Sequence, residues 1–199
     1  MKTHRGEQAA IERIVTGAFV KLTGRKGTPL RYAMMTDTPV GTIGLATGDA
    51  GLCRLDFVKS EQQFLERILD AFGDRPFLRS DRLDPARREL DQYFAGKRLD
   101  FDLKVDWSTV LSGFARKVLQ ATARIPAGQV LSYADVAAKA GNARASRAAG
   151  NALHNNPVAI IVPCHRIVRS DGSLGGYGGG PPIKAWLLEH EGARTREAI

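Results

Sequence analysis

The chain has 199 residues, 43% of them hydrophobic, with 29 Lys and Arg against 21 Asp and Glu, a net charge of +8 and only two cysteines. That is enough apolar material for one good core or two small ones, which excludes a disordered tail and a disulfide-stapled miniprotein. The basic surplus is the balance of a polyanion binder, so nucleic acid is the first partner to test. Two cysteines and four scattered histidines make no four-cysteine metal site, and no metal or other cofactor is expected. No run approaches the ~20 apolar residues of a membrane span, and Met1–Glu12 lacks the apolar core of a signal peptide. The expectation is a protein with no membrane contact, in a reducing, cytoplasmic compartment.

Ile11, Ile14, Val15, Ala18, Phe19 and Leu22 recur at helical spacing and predict an amphipathic helix, ended by Gly24, Gly27 and Pro29. From Arg31 to Val58 the pattern becomes short β-prone runs (Tyr32–Met35, Thr42–Ala46, Leu52–Phe57) between Pro39, Gly41, Gly48 and Gly51, a small antiparallel sheet. Cys53, inside the last run, reads as a buried small hydrophobe. Ser60 with Gln63 forms a capping box for a helix whose apolar face is Phe64, Leu65, Ile68, Leu69 and Phe72. A further helix takes Asp84 as N-cap and Pro85 at N1, with Ala86, Leu90, Tyr93 and Phe94 on its apolar face and Gly96 as its stop. Up to about Asp106 this is an α+β unit with no chemical signature.

From Ser112 the texture changes to short helices on tight turns rich in Ala, Gly and Arg, which places a domain boundary near Val105 to Ser112. Phe114, Val118, Leu119 and Ile125 mark one helix. Ser132 with Asp135 caps another, ended by Gly141 and Asn142, and Arg144–Asn155 forms the next. Two short helices on a Gly-Asn turn read as a helix-turn-helix. On the second, Ala145, Ala149, Ala152 and Leu153 share the core side, while Arg144, Arg147, Ala148 and Asn151 face outward. Small residues beside two arginines let a helix backbone approach a duplex closely, and a solvated basic surface helix is the plainer alternative.

The sharpest signal is IIVPCHRIV, Ile160–Val168, where Cys164 and His165 interrupt a β-branched apolar run. A reactive thiol needs a base or positive charge nearby, and His165 and Arg166 are candidates. In an extended segment Cys164 and His165 point to opposite sides, so communication through a water or a bend is expected. The last helix opens at Pro181 and Pro182 and carries Ile183, Trp186 and Leu187 at core spacing, which brings His190 and Glu191 onto the same face. A buried carboxylate needs a polar partner, and an imidazole is the obvious one, so a Cys, His and Glu relay is available; a solvent-facing Glu191 is the alternative. The loop DGSLGGYGGG, Asp171–Gly180, lacks the ending of a P-loop. Its glycines instead allow backbone amides to approach a planar ligand, with Tyr177 as a lid. Asn156 is placed to pin the turn before the cysteine run.

Taken in order, SYADVAAKAG, ARASRAAGNALHNNP, PCHRIV, GGYGGG and LLEHEG resemble the active-site domain of the O6-alkylguanine-DNA alkyltransferases, the methylated-DNA-protein-cysteine S-methyltransferases, without an evident gap from about Phe114 to Gly192. The segment from about Arg31 to Phe101 more weakly resembles that family's ribonuclease-H-like domain. The resemblance implies a fold of α+β N-terminal domain (ribonuclease-H-like) plus a mainly α C-terminal winged-helix/helix-turn-helix active-site domain. The expected division is 1–28 N-terminal helix and linker, 29–106 ribonuclease-H-like domain and 107–199 DNA-binding and alkyltransferase domain. It further implies a suicidal repair reaction on O6-alkylguanine, and on O4-alkylthymine as a second candidate, in which the alkyl group moves irreversibly to Cys164.

By motif position the resemblance makes His165 the water-mediated base and Glu191 the group that orients and charges it. Asn156 becomes the holder of the turn, and Tyr133 the residue that crowds the target phosphate and helps protonate the guanine. Arg147 matches the arginine finger that replaces the flipped base, with Arg144, Ala148 and Asn151 on the same minor-groove face of double-stranded DNA. Ile167, Tyr177, Gly178 and Lys184 match the substrate pocket. A mostly monomeric protein, with association along DNA left open, goes with this picture. Two departures stand out: Gly178 follows Tyr177 where some relatives carry a hydroxyl, and Phe114-Ala115 replaces a common Phe-Gln pair. A non-catalytic sensor of alkylated DNA and a Cys-His hydrolase are the rival readings.

Overall fold

The computed structural model describes residues 28–193 except 74, 81, 82 and 111. The helix expected over Ile11–Leu22 lies outside the described residues. Strands β1 (Leu30–Thr38), β2 (Gly41–Gly48) and β3 (Gly51–Phe57) form an antiparallel meander. A fourth strand, β4 (Phe77–Arg79), pairs parallel with β1, giving the order β3-β2-β1-β4. Three residues after Pro76 are too few to show an alternation, which is why the sequence pattern did not reveal β4.

Helix α1 (Glu61–Phe72) lays Phe64, Leu65 and Ile68 on Leu30, Tyr32, Ala46, Cys53 and Phe77 of the sheet. Only half of its expected capping box forms. Ser60 Oγ accepts from the Gln63 N–H at 3.2 Å, but the Gln63 side chain accepts from the N–H of Lys59, not of Ser60. Helix α2 (Asp84–Phe94) is capped at Leu83, one residue before the expected Asp84, and Pro85 still occupies its first turn. Its Ala86, Leu90 and Tyr93 cover the second face of the sheet, together with Ala33, Ile43, Leu45, Leu52 and Leu55.

That second face is continuous with the core of the helical C-terminal domain. Helix α3 (Gly113–Thr122) is capped by Ser112. Helix α4 (Tyr133–Lys139) carries the full capping box, Ser132 Oγ accepting from Asp135 N and Asp135 Oδ2 accepting from Ser132 N. Helix α5 (Ser146–His154) begins two residues after the expected Arg144 and packs on α3 and α4. The α4–turn–α5 unit, with Gly141 at φ +95°, is the expected helix-turn-helix. Two short strands, β5 (Leu131–Ser132) and β6 (Ile167–Val168), pair parallel, and α6 (Pro181–His190) closes the domain.

The outer edge of β3 joins the two halves. Leu52 N donates to Lys104 O and accepts back from Asp106 N through its carbonyl, both at 2.8 Å, so the interdomain linker is stitched to the sheet. Further along, Leu55 N donates to Pro157 O at 2.8 Å and Leu55 O accepts from Ala159 N at 3.3 Å. An edge strand that would otherwise expose unpaired amides is thus covered by the segment leading to Cys164.

Candidate active site

Asn156, just past α5, organises the run that follows. Its Oδ1 accepts from Val158 N at 3.1 Å, and its Nδ2 donates to Val162 O at 2.8 Å and to Cys164 Sγ at 3.1 Å. Inside this turn Ile160 has φ +68°, a left-handed conformation that a β-branched residue adopts at a cost of about 1–3 kcal/mol. Asn156 on one side and the β3 edge on the other hold it there.

The expected extended geometry of PCHRIV is not what forms. Pro163 accepts from Arg166 N at 2.9 Å, closing a 3-10 turn over Cys164–Arg166 before β6 begins. The expected role of Arg166 changes with it. Its guanidinium faces Glu191, with Nε to Oε2 at 2.6 Å and Nη2 to Oε1 at 2.8 Å, while Nη1 bonds the Ile125 carbonyl. The positive charge felt by Cys164 comes from the buried Lys184. Burial nevertheless pushes the Cys164 thiol up from its ordinary range, against the Asn156 hydrogen bond and the Lys184 charge, so at rest it is protonated.

Glu191 forms the C-cap of α6 and is 6% exposed. Burial would raise its pKa, but hydrogen bonds from His165 and Arg166 outweigh that and bring it down to about 2. His165 is fully buried with Nε2 2.9 Å from Glu191 Oε1. Because that oxygen belongs to an ionised carboxylate, Nε2 carries the proton and Nδ1 is left as the acceptor. Desolvation lowers the His165 pKa, and Arg166 and Lys184 oppose the pull of Glu191, so Glu191 orients the ring without charging it. Nδ1 is buried and has no hydrogen-bond partner among the described residues.

Cys164 opens on a cavity of about 270 Å³ lined by Tyr133, Gly150, Leu153, His154, Gly176, Tyr177 and Gly178. Tyr177 is a wall of this space, not a lid. Its hydroxyl is buried, and its ring packs at 84° on His165 and at 59° on Phe57, with centroids 6.2 and 5.6 Å away. The glycines of the loop serve neighbouring rings as well as an incoming ligand. A Cβ on Gly175 (φ +70°) would lie 3.1 Å from the Tyr133 hydroxyl, and one on Gly179 would lie 2.9 Å from Phe57. A second cavity of about 410 Å³, with Arg54, Asp56, Phe57 and Arg67 of the N-terminal domain on its wall, reaches Cys164 from the interdomain side.

Arg147, Ala148 and Asn151 are exposed on the face of α5 opposite the buried Ala149, Ala152 and Leu153, and Arg144 is exposed in the turn just before the helix. Ile167 and Lys184 are buried and do not line either cavity; the Lys184 ammonium donates to the carbonyls of Ile167 and Leu174. His190, read onto the same face as Glu191, is half-buried there, donating through Nε2 to the Tyr93 carbonyl at 2.6 Å and stacking on Trp186. Sequence reasoning missed Tyr93, whose hydroxyl donates to Glu191 Oε1 at 2.8 Å. Its helical spacing marked it only as core. Among the described residues no group of three or more His, Cys, Asp or Glu is arranged to hold a metal ion, and no helix is long and apolar enough to cross a membrane.

Two family models match: residues 30–107 fit the 6-O-methylguanine DNA methyltransferase ribonuclease-like domain, and residues 113–193 fit its DNA-binding domain. The methylated-DNA–protein-cysteine methyltransferase of Methanosarcina barkeri is 39% identical over 160 residues, covering 80% of this chain and 96% of the relative. The chain belongs to the 6-O-methylguanine DNA methyltransferase family. Among solved structures, the Mycobacterium tuberculosis O6-methylguanine methyltransferase is 33% identical with a TM-score of 0.69, over 82% of this chain and 93% of that one. The M. tuberculosis OGT in complex with DNA is 32% identical with a TM-score of 0.70, over 81% of this chain and 92% of that one. The family's two-part fold, a sheet domain followed by a helical domain, is the architecture described above.

The neutral, buried His165 has a consequence for this methyltransferase's stability. Its folded pKa lies below the ordinary 6.5, so below that pH the unfolded chain binds more protons and stability falls. Glu191, ionised down to about 2 against an ordinary 4.5, adds a second loss below pH 4.5. The melting temperature should therefore begin to drop as pH is lowered through about 6.5; a flat profile from pH 8 to pH 5 would contradict a neutral His165.

Proposed function

We propose that the chain repairs DNA by direct reversal, moving a methyl or larger alkyl group from O6 of guanine to Cys164 once per molecule. The observation that carries this reading is a buried Cys164–His165–Glu191 series opening on a base-sized cavity beside the helix-turn-helix, in a chain of this family. A volume of about 270 Å³ is small for a drug-sized ligand and suits one flipped base.

In this reading His165 Nδ1 takes the thiol proton through a water, and the thiolate attacks the alkyl carbon. The S–C bond forms as the C–O6 bond breaks, and the electron pair leaves on guanine, which takes up a proton delivered through Tyr133. The thiol's lost proton and the guanine's gained one balance, and the thioether has no ready route to hydrolysis. Burial that raises the thiol pKa restricts deprotonation to the reacting complex. Asn156 supports the sulfur as its charge develops, a charge-assisted hydrogen bond being stronger than a neutral one. Tyr177 and the Gly178 backbone N–H face the base, while Lys184 fixes Ile167 and the glycine loop behind it.

The DNA partner is met through α5. Its small residues permit close approach along the minor groove, Arg147 fills the space left by the flipped base, and Arg144, Ala148 and Asn151 complete the contact. O4-alkylthymine is a second substrate candidate. A mostly monomeric, cytoplasmic protein divided as 1–28, 29–106 and 107–199 completes the reading; the linker hydrogen bonds of Lys104–Asp106 support a boundary just beyond them.

Intact and peptide-level mass spectrometry after mixing with a duplex containing one O6-methylguanine should show one methyl per molecule, on the Cys164 peptide alone, with guanine restored. Binding without a mass change would point to a sensor, and turnover of an ester to a hydrolase. Arg147→Ala should slow duplex repair by roughly ten- to a hundredfold, the rate equivalent of ~1.4–2.8 kcal/mol. Its reaction with free O6-benzylguanine should stay within about twofold of wild type, since no base is flipped. Equal losses on both substrates would remove the finger role.

A further inference from the structure

We propose that Tyr93, contributed by the N-terminal domain, is a positioning residue of the alkyl-transfer site: its hydroxyl holds the Glu191 carboxylate that orients His165, so one domain sets the reactivity of a thiol in the other. The inference rests on the reading of Cys164 as acceptor and His165 as base.

The geometry is that of a fixed donor. Tyr93 lies on α2, is fully buried, and reaches 98 positions along the chain to Glu191 Oε1 at 2.8 Å. Its ring is enclosed by Phe94, Phe101 and His190, with centroids 5.5, 5.2 and 5.0 Å away. Its own carbonyl is tied by the His190 imidazole, which stacks on Trp186 at 4.7 Å. A ring so confined cannot swing its hydroxyl elsewhere. Were the role only to fill space, phenylalanine would do so without a hydroxyl to desolvate.

What the hydroxyl adds is control of one oxygen. Oε1 of Glu191 accepts from Tyr93, from His165 Nε2 and from Arg166 Nη2, whereas Oε2 accepts from Arg166 Nε. Arg166 grips the carboxylate edge from the side of the cysteine turn, and Tyr93 fixes the shared oxygen from the side of the sheet domain. Donation into Oε1 also drains charge from the atom that faces His165, which favours the neutral imidazole over the imidazolium. Burial, then the Glu191 charge, hold the Tyr93 phenol far above its ordinary pKa, so it donates at every working pH. The other charged and titratable groups around His165 are Arg166 and Cys164 in its own turn, Lys184 on α6 and Tyr177 from the glycine loop. None of these takes the place of a neutral donor on Oε1.

The test is the single-turnover rate of the full-length protein with free O6-benzylguanine from pH 5 to pH 9, for wild type and Tyr93→Phe. Losing the hydroxyl returns charge to Oε1 and raises the proton affinity of His165. The acid limb of the Tyr93→Phe profile should then move up by on the order of half a pH unit or more. Well below the midpoint of the limb the rate should fall roughly threefold or more, while the alkaline plateau stays within about twofold. Phe101→Leu serves as the packing control: it should lower the melting temperature and leave the acid limb in place. An unmoved limb in Tyr93→Phe overturns the inference, as does an equal shift in Phe101→Leu. If Tyr93→Phe does not fold, NMR of the wild-type chain decides. A slowly exchanging Tyr93 hydroxyl proton with an Overhauser contact to the His165 Nε2 proton is expected, and its absence overturns the proposal. Wild type that transfers no benzyl group at any pH would instead sink the alkyl-transfer reading, a result distinguishable from a variant that merely matches wild type.

Discussion

A carboxylate removed from water must be repaid by its neighbours, and Glu191 is met by donors from three directions: the guanidinium of Arg166, the imidazole of His165 and the phenol of Tyr93. Removing a partner from such a site leaves a buried charge uncompensated, at a cost of about 3–5 kcal/mol when the partner is itself charged. The cluster therefore constrains geometry more than it adds net stability. It ties the C-terminus of α6 to the cysteine turn and both of them to α2, and the orientation of His165 is a consequence.

The second constraint is the edge of β3. Its amides bind the linker at Lys104–Asp106 and the Pro157–Ala159 segment that leads to the reactive cysteine. That segment contains Ile160 in a left-handed conformation, which is affordable only because Asn156 and the sheet edge fix the chain on either side. The N-terminal domain thus contributes to the site in two ways that do not involve touching DNA: it supports the strained turn, and it supplies the donor that holds Glu191. Its arginines, Arg54 and Arg67, share Asp56 on the wall of the interdomain cavity that reaches Cys164.

Much of this was legible from local rules. Burial of a carboxylate at the end of an apolar helix face called for a polar partner, and His165 is one. The Ser132–Asp135 spacing gave a cap that forms with both hydrogen bonds, and an asparagine before proline gave the pinned turn. What stayed hidden depends on distant chain. Tyr93 and Glu191 are 98 positions apart, and a helical apolar face does not say that one of its members ends in a needed hydroxyl. Arg166 looked like a charge for the thiol because it is near in sequence, but the 3-10 turn closed by Pro163 directs it to Glu191. The same turn replaced the expected strand, since periodicity cannot tell a short buried strand from a turn. The cap at Leu83 and the brief β4 are decided by packing on elements that the local pattern does not contain.

The central physical claim is that burial keeps His165 neutral, while an ionised Glu191 held by Arg166 and Tyr93 fixes the ring's proton on Nε2 and leaves Nδ1 to accept. Nitrogen-15 NMR of the His165 ring in the resting protein at pH 7 measures this directly. A protonated Nε2 beside an unprotonated Nδ1 is the predicted result; an imidazolium, or a proton on Nδ1, would contradict the account.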